Sequence, residues 1–431
     1  MESYVKETSA FKLKVHHIKF AVNDVLNFSS MLVNNLKFKV LATKHENDQE
    51  ISVYEHGLVK FLVEDRKKLN ANNYSSLYSD MNSYPADTAY DVCLECNNIE
   101  QIVNSVNSHM SFSQNVKIFN MFDDNGIVKF AVVKSPIGNI YHTLVELSNY
   151  NGKFLPGFKV CEENISNTAD LISHIDHIAV CLNVNQTESV YNWYAHCFGF
   201  KRALINQDDH REDGFVVEQK HNGLRLKEVV CPSMLEETTY TCKQGSESLT
   251  RIVFAESLKN DKSNPTNVDN FIINHGGPGV QHLAFGCNDL FKTANVVNSS
   301  QIDCVKYPLQ YYEDLIDSKT VKNLGIKVDD LKKGNVLLEY HSPKVSKQCK
   351  VLQSDKTMYS LNFENQLKVI EDTEWYILQM FTKPVFNEKT LFFEFIQRSN
   401  TLTGLGASNI STIWKYQAAD IDHRSIYSLK D

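Results

Sequence analysis

His174-Ile175-Asp176-His177-Ile178-Ala179-Val180 begins polar and runs into an apolar, β-branched stretch, the pattern of a strand entering a core. An imidazole at the head of such a strand points either into packed side chains or into a cavity that the sheet encloses. A lone histidine there is more often a satisfied structural residue. Two later strands shift that balance. Gly279-Val280-Gln281-His282-Leu283-Ala284-Phe285 carries a second histidine, and Thr390-Leu391-Phe392-Phe393-Glu394-Phe395-Ile396 carries one carboxylate among aromatics. Two imidazoles and a carboxylate form the facial triad that leaves three positions open on non-haem Fe(II). His177, His282 and Glu394 are the expected metal ligands.

The same phrase occurs earlier in the chain. Leu13-Lys14-Val15-His16-His17-Ile18-Lys19-Phe20-Ala21-Val22 looks like the strand at 174–180. Each is followed by a helix-like stretch, 24–35 or 187–198, and then by alternating strands. Ser52-Val53-Tyr54-Glu55 and Gly57 to Val63 find counterparts in Phe215-Val216-Val217-Glu218 and Gly223-Leu224-Arg225-Leu226. A second unit closes each half. Tyr90 to Asn97 matches Gln281 to Asn288, helices are expected at 98–109 and 289–300, and strands 127–133 and 141–147 parallel 375–381 and 390–397. The pattern is an internal duplication of four βαβββ modules in two halves, an α+β fold.

In the N-terminal half His17 keeps the place of His177, but Asp91 stands where His282 does, and the carboxylate's counterpart falls near Thr143 to Glu146. One imidazole without its second is an incomplete site. That half is expected to be structural, without a second imidazole beside His17, leaving one metal per chain.

The domain boundaries follow. Residues 11–152 form the N-terminal domain without metal, and 153–170 are the linker, marked by Phe154-Leu155-Pro156-Gly157-Phe158. Residues 171–408 form the catalytic domain, interrupted by a polar insertion at 338–370. Residues 409–431 form a closing amphipathic helix, with Ile410, Ile413, Trp414 and Tyr416 on a helical spacing.

Composition narrows the functional classes. The 431 residues exceed what one core usually organises. A formal net charge of −8 without any basic block argues against nucleic acid. No apolar run approaches the roughly 20 residues of a membrane span. The first residues, Met1-Glu2-Ser3-Tyr4-Val5-Lys6-Glu7, lack a signal core. Ten cysteines without framework spacing fit reduced thiols, and the expected compartment is the cytoplasm, with the mitochondrion as alternative. The Cys93/Cys96 pair has no second CxxC and is read as core thiols.

These motifs resemble the 4-hydroxyphenylpyruvate dioxygenase family of the vicinal oxygen chelate superfamily. The resemblance covers nearly the whole chain outside the insertion. It rests on the linker phrase, Gly276-Gly277-Pro278-Gly279-Val280-Gln281-His282, Leu378-Gln379-Met380-Phe381-Thr382-Lys383-Pro384, and Leu391-Phe392-Phe393-Glu394-Phe395-Ile396-Gln397-Arg398. It implies a vicinal oxygen chelate, or glyoxalase-like, fold, its four βαβββ modules forming two half-barrel domains, and one Fe(2+) held by His177, His282 and Glu394. Gln281, Gln379 and Asn409 are the implied catalytic orienters, and Phe381 and Phe392, with Leu405, line the substrate. The implied partners are an aromatic 2-oxo acid and O₂, and a homodimer is left open.

The chain departs from the family where substrate is held. Leu226, Ala255 and Asn267 replace a serine, an asparagine and a glutamine, while Leu405, Ser408 and Ile410 alter the C-terminal glycine motif. Gly223-Leu224-Arg225-Leu226 and Phe254-Ala255-Glu256-Ser257-Leu258 instead look like the 4-hydroxyphenylpyruvate dioxygenase-like subgroup. The resulting expectation is decarboxylation and hydroxylation of 4-hydroxyphenylpyruvate to 4-hydroxymandelate. Homogentisate formation in tyrosine metabolism is the alternative, and a degenerate, metal-free interaction protein is the alternative of another class. A jelly-roll oxygenase, suggested by His174-Ile175-Asp176, is disfavoured by the helix-like stretches. An extradiol enzyme would lack the Glu394 to Arg398 run followed by Gly404 to Asn409.

Overall fold

The computed structural model of this protein describes residues 11–410 apart from 47–48, 72–74, 79–84, 113, 162–169, 219–221, 232–249, 260–262, 317–318, 343–373 and 402–403. The N-terminal strands are β1 (Leu13–Val22), β2 (Lys39–Glu46), β3 (Gln49–His56), β4 (Val59–Asp65), β5 (Thr88–Cys96), β6 (Phe119–Asp123), β7 (Gly126–Lys134), β8 (Tyr141–Tyr150) and β9 (Lys159–Val160). Helices α1 (Val25–Ser30) and α2 (Ile99–Asn107) lie among them. The C-terminal strands are β10 (His174–Leu182), β11 (Lys201–Ala203), β12 (Phe215–Glu218), β13 (Gly223–Val230), β14 (Arg251–Ser257), β15 (Gly279–Gly286), β16 (Leu337–His341), β17 (Trp375–Phe381) and β18 (Phe392–Ser399). With them are α3 (Thr187–Phe198), α4 (Asn267–His275) and α5 (Leu290–Asn298).

Four of these helices, α1, α2, α4 and α5, start where the sequence supplies an acceptor. The side chains of Asp24, Asn98 and Asp289 accept from the backbone N–H three residues on, and Thr266 with Asp269 forms a reciprocal capping box. The α3 helix stops at Gly199, whose φ of 69° is open to glycine without strain.

The duplication is complete at the level of topology. One sheet runs β6-β7-β8-β5-β1-β4-β3-β2-β9, and the other runs β16-β17-β18-β15-β10-β14-β13-β11 in the matching order. In both, the head strand of each module lies parallel to its last strand, and the two head strands of a half pair antiparallel. The expected four-module, two-half-barrel fold is thus the observed one.

Two expectations need correction. The counterpart of β4 is β14, Arg251–Ser257, because β14 lies parallel to β10 as β4 lies parallel to β1. The stretch Phe215–Glu218 is instead a short extra arm folded back on β13. The insertion expected at 338–370 begins later, since Leu337–His341 pairs with β17 through five residues, from Leu337 opposite Gln379 to His341 opposite Trp375. Its polar composition misled because Glu339 is buried there as an acceptor for the Ser408 N–H. The rest of the insertion from 343 and the closing helix beyond Ile410 lie outside the described residues.

Inside each curled sheet sits a separate apolar cluster, Leu41, Val53, Leu62 and Phe130 in one and Ala179, Leu226, Val253 and Ala255 in the other. A larger core joins the outer faces and the helices of both halves. Phe61 of β4 is its hinge, with ring centroids 5.0 Å from Phe38, 6.0 Å from Phe285 and 6.4 Å from Phe393. Because Phe61 is fully buried, Phe61→Ala is expected to lower stability by about 3–5 kcal/mol, read as a shift of the urea midpoint. A shift under a third of that would mean the halves do not depend on this contact. No helix among the described residues is long and apolar enough to cross a membrane, and the described cysteines are free thiols.

Candidate metal centre

His177, His282 and Glu394 come from three adjacent strands, β10, β15 and β18. The register sets Ala284 opposite His177 on one side and opposite Glu394 on the other, with His282 two residues before it. Strands lie about 4.8 Å apart, so this register alone draws together side chains separated by 105 and 112 positions (282 − 177 and 394 − 282). Glu394 Oε2 lies 3.4 Å from His177 Nε2 and 3.4 Å from His282 Nε2. One potential ligand atom from each residue falls within 4.8 Å of the others.

The spacing fits one cation. Two donor atoms each about 2.1 Å from a shared ion, and roughly 110° apart, sit 3.4 Å from one another. The donor set, two imidazoles and one carboxylate, suits a borderline divalent ion with positions left open. Each imidazole aims its Nε2 inward. His177 Nδ1 donates to Asp176 Oδ1 at 2.9 Å, the outer hydrogen bond that fixes the tautomer of a ligating histidine.

Behind His177 lies a charged layer that the sequence reading passed over. Arg398 grips Asp176 bidentately, Nε to Oδ2 and Nη2 to Oδ1, both at 2.7 Å, and its Nη1 donates to Gly404 O at 2.7 Å. Arg251 Nη1 lies 4.0 Å from Asp176 and 3.8 Å from the buried Glu228. A signal existed: Asp176 adjoins His177, and Glu394, Ile396 and Arg398 share a face at period two.

Burial opposes the charge on Asp176, yet the Arg398 guanidinium holds its carboxyl well below the usual range. Burial likewise opposes ionisation of Glu394, but His177 and His282 outweigh it and hold the carboxyl at about 2. Burial works against protonated His177 too, and Glu394 with Asp176 outweighs it and raises the ring to about 9. Burial dominates at His282, whose imidazole is lowered.

These shifts set a pH window for the metal-free protein. The depressed Glu394 contributes stability above its ordinary value of 4.5, lost as pH falls towards about 2. The raised His177 contributes stability below its ordinary 6.5, lost as pH rises through about 9. Melting temperature in chelator is therefore expected to peak between pH 4.5 and 6.5 and to fall from 6.5 to 9. A melting temperature that climbs across the upper range would contradict the pair.

The remaining expected site residues divide. Gln379 Nε2 donates to Glu394 Oε1 and to Leu405 O, both at 2.8 Å, and its Oε1 accepts from Asn409 Nδ2 at 3.0 Å. Its amide thus binds the ligand carboxylate to the C-terminal segment. Gly406, at φ 64°, comes so close that a Cβ there would collide with the Gln379 amide. Phe392 stacks on His282 with centroids 4.7 Å apart, and Phe381 meets Phe392 edge-on at 6.2 Å. Gln281 is buried in a bulge of β15 next to His282. Leu405 packs with Leu226, Ala255 and the partly buried Ile410 in one apolar cluster, so four departures from the family pattern share one wall.

The N-terminal half corrects another expectation. His17 does have a second imidazole beside it: His16 Nδ1 lies 2.7 Å from His17 Nδ1. A bulge in β1 between Val15 and His17 is the cause, because it lets two consecutive residues serve one face. The equivalent bulge in β10 falls at Asp176, so His16 occupies the place of the aspartate that orients His177. His16, His17 and Cys93 form a second grouping of potential ligands. The two Nδ1 atoms there are spent on one another. Burial, helped by Lys60 and Lys14, lowers His16 to about 3, and burial with His16, Lys19 and Lys60 lowers His17.

Comparison with known proteins agrees with this architecture. Residues 174–322 match the Glyoxalase/Bleomycin resistance protein/Dioxygenase superfamily. The chain is 24% identical over 406 residues to the human 4-hydroxyphenylpyruvate dioxygenase-like protein, covering 94% of this chain and 95% of that one. It is 24% identical over 411 residues to 4-hydroxyphenylpyruvate dioxygenase of Yarrowia lipolytica, covering 93% and 90%. A mutant of 4-hydroxymandelate synthase from Streptomyces coelicolor shares the fold with a TM-score of 0.63 at 20% identity, covering 93% of this chain and 96% of that chain. The chain carries the glyoxalase/dioxygenase-superfamily fold and, over nearly its whole length, resembles the 4-hydroxyphenylpyruvate dioxygenases and their -like relatives.

Proposed function

We propose that this protein is an Fe(II)-dependent dioxygenase that decarboxylates 4-hydroxyphenylpyruvate and hydroxylates it to 4-hydroxymandelate. The observation that carries the enzyme reading is the 3.4 Å spacing of both imidazoles from one oxygen of Glu394. Bound Fe(II) would supply a site for the 2-oxo acid and for activation of O₂. The chain's own residues do the rest. His177, His282 and Glu394 hold the ion, Asp176 keeps His177 in the correct tautomer, and Gln379 steadies Glu394. Phe392 and Phe381 set aromatic walls beside His282, and their apolar faces exclude water.

The product assignment rests on the wall made by Leu226, Ala255, Leu405 and Ile410. These side chains offer no hydrogen bond to the substrate ring, and none is aromatic. A ring held by shape alone can turn its benzylic carbon towards the metal, and a displacement of about 1 Å decides between competing paths. The persistence of Gln281, Phe381, Phe392 and Asn409 favours the second reading, homogentisate formation.

Anaerobic reconstitution with Fe(II), followed by 4-hydroxyphenylpyruvate and O₂ and mass spectrometry of the aromatic product, tests both readings. 4-Hydroxymandelate is the expected dominant product. Homogentisate would overturn the product assignment and leave the enzyme reading standing. Absence of bound iron would favour the interaction protein.

A further inference from the structure

The half that lacks the triad encloses a cavity of its own. The two halves match residue for residue around it: Lys19 faces Asp91 as Ala179 faces His282, and Asp91 pairs with Tyr141 as His282 pairs with Phe392. Two residues after Tyr141, Thr143 takes the place of Glu394. Where the C-terminal half gathers ligands for a cation, the N-terminal half supplies the positive charge from the chain itself. Lys19 Nζ lies 3.2 Å from Asp91 Oδ2 and donates to the Tyr78 hydroxyl at 2.7 Å. Tyr78 donates to Asp91 Oδ2 at 3.0 Å, and Thr143 donates to Asp91 through its N–H at 2.8 Å and through its hydroxyl.

Lys19, Tyr78 and Thr143 line a cavity of about 120 Å³, together with Ile51, Leu62, Met121, Phe130 and Val132. This is somewhat less than the roughly 150 Å³ of a dry cavity that accepts one benzene, so the space admits no more than a single ring. Its charges cancel in pairs. Lys19 meets Asp91, and Lys44 meets Glu46 at 2.6 Å. Glu64 accepts the Tyr90 hydroxyl, and burial pushes its carboxyl up towards the neutral acid. Neither lysine is left without a carboxylate partner to draw an anion, and the Glu64 carboxyl is taken up by the Tyr90 hydroxyl. An ammonium has three N–H donors, and Tyr78 and Asp91 take two of them.

We propose that the N-terminal half-barrel is a second small-molecule site, taking a neutral single-ring phenol with its oxygen against Lys19 and its ring against Leu62, Phe130 and Val132. The cavity is walled mainly by apolar side chains, with Lys19, Tyr78 and Thr143 as one polar group and the Lys44–Glu46 pair as another, the mixture of a ligand site. It lies in the other half of the molecule from the candidate metal centre, so the two can be blocked separately.

The test is fluorine NMR of 4-fluorophenol titrated with the full chain, with 4-fluorobenzoate and 4-fluorobenzylamine alongside. Val132→Trp fills the N-terminal cavity, and Ala255→Phe fills the interior of the C-terminal half-barrel. The expected dissociation constant for the phenol is on the order of 1 mM, as befits so few atoms. Ala255→Phe should leave it unchanged, and Val132→Trp should weaken it at least about tenfold. Met121→Trp, at a partly exposed position on β6, gives the same reading if Val132→Trp does not fold. The proposal is overturned if the phenol does not bind, if only Ala255→Phe removes its binding, or if neither tryptophan does. It is overturned as well if the benzoate or the benzylamine binds more tightly at the tryptophan-sensitive site.

Discussion

Glu394→Ala is expected to abolish Fe(II) binding while leaving the fold intact. Glu394 is almost wholly buried, and its Oε2 is the atom both imidazoles share. Truncating one partner of a buried, hydrogen-bonded charge group costs about 2–5 kcal/mol, so metal affinity should fall at least about thirtyfold. The fold should survive because the carboxylate stands on the cavity side of β18, whose opposite face carries Phe393 and Phe395 into the main core. His177, relieved of the carboxylate that raises it, can shed its proton and stay buried as a neutral ring. Anaerobic titration with Fe(II), paired with circular dichroism and a melting curve, measures both parts. A variant that still binds iron with native affinity would remove Glu394 from the ligand set. His282→Ala should behave alike, with a smaller effect on the metal-free protein, because its ring carries no charge there.

Asp176→Asn should weaken metal binding by about 10–100-fold, the usual cost of losing the partner that orients a ligating histidine. Asparagine keeps the shape and can still accept from His177 Nδ1, so the loss isolates charge from geometry. The same change leaves Arg398 mostly buried without its counter-ion, and breaking such a pair costs about 3–5 kcal/mol. Arg398 also holds Gly404 O, and Leu405 O in turn holds Gln379. A lost pair should therefore loosen the segment that carries Leu405 and Asn409 as well as the metal. The measurement is metal affinity together with melting temperature, for Asp176→Asn and for Arg398→Lys. Lysine keeps the charge but not the two-pronged grip, so it should rescue stability more than affinity. Equal recovery of both would make the pair a simple electrostatic prop.

Much of this arrangement was legible from residues alone. Helix starts could be read because a capping side chain lies three residues from the N–H it satisfies, as at Asp24, Asn98 and Asp289. The duplication could be read because period-two alternation and repeated phrases are local signals. The three candidate ligands were nameable because each heads or interrupts an apolar strand where a polar residue costs free energy unless it is used.

What the tertiary structure alone decided is set by register and by bulges, which no local pattern encodes. Composition could not tell that Arg251–Ser257 would lie parallel to β10, because a strand's partner depends on which long-range pairing buries the most surface. Nor could it tell that a bulge would turn Asp176 towards His177 and His16 towards His17, since the extra residue is defined only against the opposing strand. Leu226, Ala255, Leu405 and Ile410 are scattered over 184 positions (410 − 226) and read as four separate departures. Folding makes them one wall. Lys19, on a strand whose alternation alone would leave it in solvent, ends mostly covered against the buried Asp91, because the duplicated strand pairing sets it opposite that residue. Chemistry at each position belongs to the sequence, and which chemistries meet belongs to the pairing of strands.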